Sequence, residues 1–229
     1  MPVPANIEGE KVARTANSAV PLEIYASLVD ALFDDRRSLF IGSATASLAA
    51  LLTAWKSSHW VLFGFGVAIA VVAYARFLDM RAYSKARENL KTTQEFRVWE
   101  VRYAWLGAIY LALLGLWTLA TFVLTSDAFT HLFSFTVTVC YLIGTFGRNF
   151  ASRTLVIAQT IAAVVPMSAA LFYMGGVYYT IFGLILPTFF AGMISISNRL
   201  RKTLLDAVIA TQEITLLAKR FDTALTNMP

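Results

Sequence analysis

The stretch VYYTIFGLILPTFFAGMISISN (177–198) runs directly into RLRKTLLDAVIATQEITLLAKRFDTALTNMP (199–229). A hydrocarbon core about 30 Å thick takes roughly 20 apolar residues of helix at about 1.5 Å rise each. The first part is long enough to span; the second is helix-prone and amphipathic. Within it, Ala207, Ala210, Ile214, Leu217, Phe221, Ala224 and Met228 recur at three-four spacing, with the tightest apolar stretch from Ile214 onward. That spacing predicts a parallel dimeric coil; the other reading is a single amphipathic helix packed on its neighbour. Pro229 is incompatible with a continuing helix interior. A helix of this kind belongs on the way to another domain, so 199–229 is expected to be a cytoplasmic signalling helix leading to an output domain not in this chain.

Working outward, five further stretches have the length and apolarity of spans: 38–55, 60–75, 103–124, 128–146 and 154–174. The second is short, and Arg76 is expected to lengthen it by snorkelling to the interface. None of the six contains Asp, Glu, Lys or Arg. Apolar residues make up 58% of the chain and charged residues 14%, a balance that fits a polytopic membrane protein and not a soluble domain. The expected fold is all-α: six transmembrane helices in three hairpins over 38–198, preceded by a flexible cytoplasmic segment (1–20) and an amphipathic interfacial helix with its turn (21–37).

Of the 19 Lys and Arg residues, all but Lys56 fall on the side of the termini and the larger loops, 76–102 and 147–153. The positive-inside rule places that side, and both termini, in the cytoplasm. The basic residues are thus where a membrane puts them, and the net charge of +5 does not point to nucleic acid. The first 18 residues are polar, without the pattern of a cleavable signal peptide. Cys140 is the single cysteine, so neither an intrachain disulfide nor a CxxC-type metal site is available.

Pro21 suits a first helical turn, and Leu22, Tyr25, Leu28, Val29, Leu32 and Phe33 recur at helical spacing. This helix either lies on the inner membrane surface or packs against the cytoplasmic loop. Thr92 and Glu95 have the spacing of a capping box, predicting a helix that starts there and runs into the third span. Phe96, Trp99 and Tyr103 share a face of it and read as an aromatic belt.

Several strings resemble a known family when taken together: LVDALF (28–33), RRSLF (36–40), WEVRY (99–103), GRNFAS (147–152), LLDAVIAT (204–211) and, most specifically, RFDTALTNMP (220–229). The last resembles the linker that enters a PAS domain in α-proteobacterial cyclic-di-GMP enzymes. Those proteins carry a six-span N-terminal sensor followed by PAS, GGDEF (diguanylate cyclase) and often EAL (phosphodiesterase) domains. The resemblance implies a bacterial inner-membrane sensor and anchor, homodimeric through its exit helix and joined to a cytoplasmic output domain of the same chain. No GGDEF or EAL motif is present here, so the implied enzyme activity is that of a parent protein.

Candidate signal-bearing residues are few. Arg148 and Asn149, read as part of a short inner loop, could bind an anion through a forked guanidinium and helix N–H groups, or could cap and anchor the loop. A third option pairs Arg148 with Glu100, near Arg102 at the inner edge of the third span, as a switch contact. His59 and His131 lie at matching depth near the outer face, where a haem or copper ion could use both; the other reading is interfacial histidines bound to water and headgroups, with no cofactor. Pro166 and Pro187, mid-span in adjacent helices, are expected to kink them. Gly183 and Gly192 flank Pro187, and Gln159, Ser168, Thr188, Ser134, Thr136 and Thr138 add mild polarity. Together these residues suggest either helix-packing glue or a pocket for a small lipophilic ligand such as a quinone or fatty acid.

The leading expectation is a non-catalytic membrane sensor. A small transporter or channel is the alternative, disfavoured by the lack of charges within the spans. An intramembrane enzyme would need a carboxylate pair, an HExxH string or a nucleophile with a base, and none is evident.

Overall fold

The computed structural model of the chain describes residues 22–150 and 152–226. Every element among them is helical: α1 (Leu22–Asp34), α2 (Arg36–Ser57), α3 (Trp60–Ala86), a 3-10 turn (Arg87–Asn89), α4 (Thr93–Leu124), α5 (Ala128–Asn149), α6 (Arg153–Met174) and α7 (Gly176–Thr226). The six from α2 to α7 are long and apolar enough to cross a membrane. One end of the bundle carries the brief connections 58–59, 125–127 and 175 (the short-loop end); the other, the basic end, carries α1 and the connections 87–92 and 150–152.

The helix starts follow local chemistry. Asp35 accepts the Ser38 N–H at 3.1 Å and opens α2. Asp127 accepts the N–H and hydroxyl of Thr130 and opens α5. Thr92 and Glu95 form the expected reciprocal box: Thr92 Oγ1 accepts the Glu95 N–H, and Glu95 Oε2 accepts the Thr92 N–H. α4 then runs 32 residues, as one helix through the third span.

Two expected loops are helical instead. α3 continues through Ala86, so the connection expected from Arg76 to the helix start at Thr92 shrinks to 87–92. No Gly or Pro lies between Ala75 and Thr92 to stop it, and charged residues such as Arg and Lys are good helix formers. α5 likewise runs through Asn149, which puts Gly147, Arg148 and Asn149 in its last turn rather than in a loop.

α4 and α6 are the inner pair of the bundle. A Cβ added at Gly115 of α4 would stand 2.7 Å from the Ala163 carbonyl oxygen and 2.5 Å from Cγ of Pro166 on α6. The missing side chain lets two backbones touch, the usual way apolar helices gain contact in lipid. Pro166 therefore fills a notch against α4, whereas Pro187 is exposed on α7. The two prolines thus face different surroundings. A pocket that opens among α4, α5, α6 and α7 lies at the short-loop end, about 570 Å³ in volume, against Phe122, His131, Phe135, Leu171, Tyr179 and Phe182.

A second core fills the basic end. Val29, Leu32 and Phe33 of α1 are at most 2% exposed, packed against Met80, Tyr83, Phe96, Tyr103 and Leu155. Burying each such side chain is worth about 1.5–3 kcal/mol. Asp30 completes the dock, accepting both Nε (2.6 Å) and Nη2 (2.8 Å) of Arg87 and the Tyr83 hydroxyl. Of the two readings for the first helix, packing against the loop region is the one observed. Phe96 and Tyr103 serve this dock and not an aromatic belt, because α1 covers the face they share.

α7 is continuous for 51 residues. Leu204 and Leu205 pack on the basic-end core, after which the helix leaves the bundle with Ala207, Ala210 and Ile214 exposed. The side chains of the other coil positions, Leu217, Phe221 and Ala224, lie outside the described residues, as does Met228 entirely.

Candidate functional site

Arg76 does not snorkel. α3 carries it past the expected end of the span, and the helix phase turns it inward, leaving it 3% exposed. Its Nη1 donates to the Tyr141 hydroxyl of α5 at 2.9 Å. The same hydroxyl lies 3.3 Å from Ser43 Oγ of α2. The guanidinium carbon of Arg76 sits 5.6 Å and 5.3 Å from the ring centres of Tyr103 and Tyr110 on α4, within cation–π reach.

Arg148, two turns after Tyr141 on α5, reaches the same place. Its guanidinium carbon is 6.0 Å from the Tyr141 ring centre. Two arginines therefore flank one tyrosine in the interior. Among the described residues, neither is paired with a carboxylate. Asp79, one turn along α3 and 5% exposed, is paired with Arg102 at 2.6 Å, and Arg102 also rests on the Trp99 ring. Glu100, expected as a partner of Arg148, instead accepts the Tyr25 hydroxyl of α1. Burial, followed by that carboxylate, pushes the Tyr25 phenol well above the ordinary tyrosine range.

Several donors at this level have no acceptor: Nε and Nη2 of Arg76, Nε and Nη2 of Arg148, and Nε2 of Gln159. Asn149 is a positioning residue. Its Oδ1 accepts the Tyr103 hydroxyl (3.2 Å), and its Nδ2 donates to Gln159 Oε1 (2.8 Å), which leaves the Gln159 amino group free. Taking a charge out of water costs several kcal/mol even after relaxation, and Asp79, three residues along α3 and within electrostatic reach of Arg76, is itself ion-paired with Arg102.

No family model matches the chain, and neither a curated protein nor a solved structure matches it.

The remaining expected site residues are dispersed. His131 is buried with Nε2 within hydrogen-bond distance of the Thr121 and Thr125 carbonyls, at 3.1 and 2.9 Å, and its ring stacks on Phe122. Two acceptors on one nitrogen make that nitrogen the N–H donor, tying down the end of α4. His59 is exposed in a separate groove with Trp55, Trp60 and Phe63. No group of three metal-binding side chains occurs among the described residues. Ser134 and Thr138 bond to Thr121 and Thr118 of α4, joining two helices, while Thr136 and Thr188 are exposed.

Sequence reasoning missed Arg76, Tyr141, Gln159 and Gly107 as parts of one site. A signal for Arg76 existed: the absence of a helix breaker after Ala75. The seven-residue spacing of Tyr141 and Arg148 was a second signal, since it puts both on one face of α5.

Proposed function

We propose that this chain is a membrane-embedded sensory and anchoring module whose state is passed on through α7. The single observation that carries this reading is the continuity of α7. One helix joins the bundle, the basic-end core through Leu204 and Leu205, and an exposed apolar stripe that includes Ile214. A helix about 75 Å long at about 1.5 Å per residue converts a shift or rotation among the spans into one at its far end. A difference of a few kcal/mol between two packings is enough to swing the output.

In this reading the basic end faces the cytoplasm of a bacterial inner membrane, α2 to α7 form three hairpins, and the stripe pairs with that of a second copy. The output is cyclic-di-GMP synthesis or breakdown by a domain of the parent protein, supported by the resemblance of 204–211 and 220–229. The test is an insertion series after Thr211 in the full-length parent, read as cellular cyclic-di-GMP. A four-residue insertion, which breaks the heptad phase, should change output, and seven residues should restore it. Equal output from all three proteins would overturn the proposal.

A transporter is the second reading, favoured by one observation: Arg76 and Asp79 lie inside the bundle, where charges often mark a transport route. Solute flux in proteoliposomes, with output indifferent to helix phase, would select it.

A further inference from the structure

We infer that the interior of the bundle holds an oxyanion-binding site between Arg76 and Arg148, closed at its base by Gly107. The free donors define the ligand. On both arginines the unpartnered pair is Nε with Nη2. That edge of the guanidinium presents two parallel N–H groups and matches the two oxygens of a carboxylate or a phosphate. A halide offers a single acceptor atom to both donors and lacks this two-oxygen match.

Gly107 makes room for the Gln159 amide beside Arg76. A Cβ built there would meet Gln159 Nε2 at 2.1 Å and stand 3.7 Å from Arg76 Nη2. Two of the unpartnered donors thus face a position on α4 that lacks a side chain. Gln159 is 1% exposed, and Asn149 holds its amide with the amino group turned away from the hydrogen bond they share. Tyr103 and Tyr110 wall the guanidinium of Arg76, which excludes water and strengthens an ionic contact. Arg148 is only half-buried, so the site opens toward the basic end. Its occupant is a carboxylate or phosphate group carried either by a membrane amphiphile or by a small soluble acid. The site does not depend on how the exit helix is used.

The test uses the intact chain purified in mild detergent and titrated at constant ionic strength with sodium myristate, sodium propionate or inorganic phosphate, with sodium chloride as the reference salt. Thermal midpoint and tryptophan fluorescence are the readouts. Wild type should show a saturable response to at least one of the three. Arg76→Gln and Arg148→Gln should each weaken it by about tenfold to a hundredfold, the usual cost of a lost charged hydrogen bond. A response to myristate alone assigns a lipid acid; propionate acting as well assigns a soluble carboxylate; phosphate alone assigns a phosphate group. Gly107→Ala should abolish the response by displacing the Gln159 amino group, which stands 2.1 Å from where the added Cβ would lie. Should that variant fail to fold, the half-buried Arg148→Gln protein carries the test. No response to any of the three, or one unchanged in both arginine variants, would overturn the site.

Discussion

Arg76 of α3 donates to the hydroxyl of Tyr141 on α5 at 2.9 Å, with the arginine 3% exposed inside the bundle. The guanidinium is held by one hydrogen bond and by aromatic faces, not by a carboxylate. Tyr141→Phe removes its acceptor and leaves a further buried donor bare. The expected cost is about 1–3 kcal/mol, seen as a lower thermal midpoint. Arg76→Met removes the buried charge itself and should leave the midpoint unchanged or raise it, as apolar replacement of buried ions often does. A large loss of stability in Arg76→Met would show that the arginine is a structural element.

Gly115 of α4 lies against the backbone of α6. Gly115→Leu has no room between the Ala163 carbonyl and Pro166, and neither neighbour is a flexible side-chain tip. Overpacking of this kind costs typically about 1–3 kcal/mol, occasionally more. Thermal unfolding in detergent should show the loss, while Gly64→Leu, with nothing within 4 Å of the added Cβ, should be tolerated. Equal effects at the two glycines would rule out the close seam.

Ile214 is 67% exposed in the single chain, an apolar side chain in want of a partner. In a Cys140→Ser background, Ile214→Cys should cross-link between copies in oxidised membranes, and Thr215→Cys, about 100° further round the helix, should cross-link much less. The same yield at both positions would contradict a defined dimer seam.

Lys56 and Asp127 join the ends of α2 and α5 at the short-loop end, 2.5 Å apart. The Lys56 ammonium, followed by the Thr130 donors, holds the Asp127 carboxyl well below the usual carboxylate range. A depressed folded-state value means the contribution is present above the unfolded value, about 3.9, and is lost as pH falls further. The midpoint difference between wild type and Asp127→Asn should therefore be constant from neutral pH to about 5 and should vanish in stronger acid. A difference that grows with acidity would contradict the assignment.

The capping box at Thr92 and Glu95 was legible because both partners lie within one helical turn. The amphipathic helix before the first span was legible from its period, but not its seat, since Phe33 meets Tyr83 and Tyr103 only once α3 and α4 have formed. The site was half legible. Arg148 and Asn149 stood out as polar residues at a span end, and Asn149 has a supporting role in the structure. Their companions come from other helices, Gln159 from the next one and Arg76 from α3, remote in sequence. Pro166 and Pro187 were visible as helix perturbations, yet whether two prolines face each other depends on helix rotation, which their positions alone do not reveal.

From sequence alone came the six apolar helices, where most of them start and the long amphipathic exit, because hydropathy, period and caps are properties of neighbouring residues. Only the tertiary structure decided that α4 packs most closely on α6, that α1 docks on the basic end, and that Arg76 turns inward to Tyr141. In lipid the apolar surface of one helix is as acceptable as that of another. The choice of neighbours then falls to steric fit at positions such as Gly107 and Gly115, and that fit exists only between assembled helices.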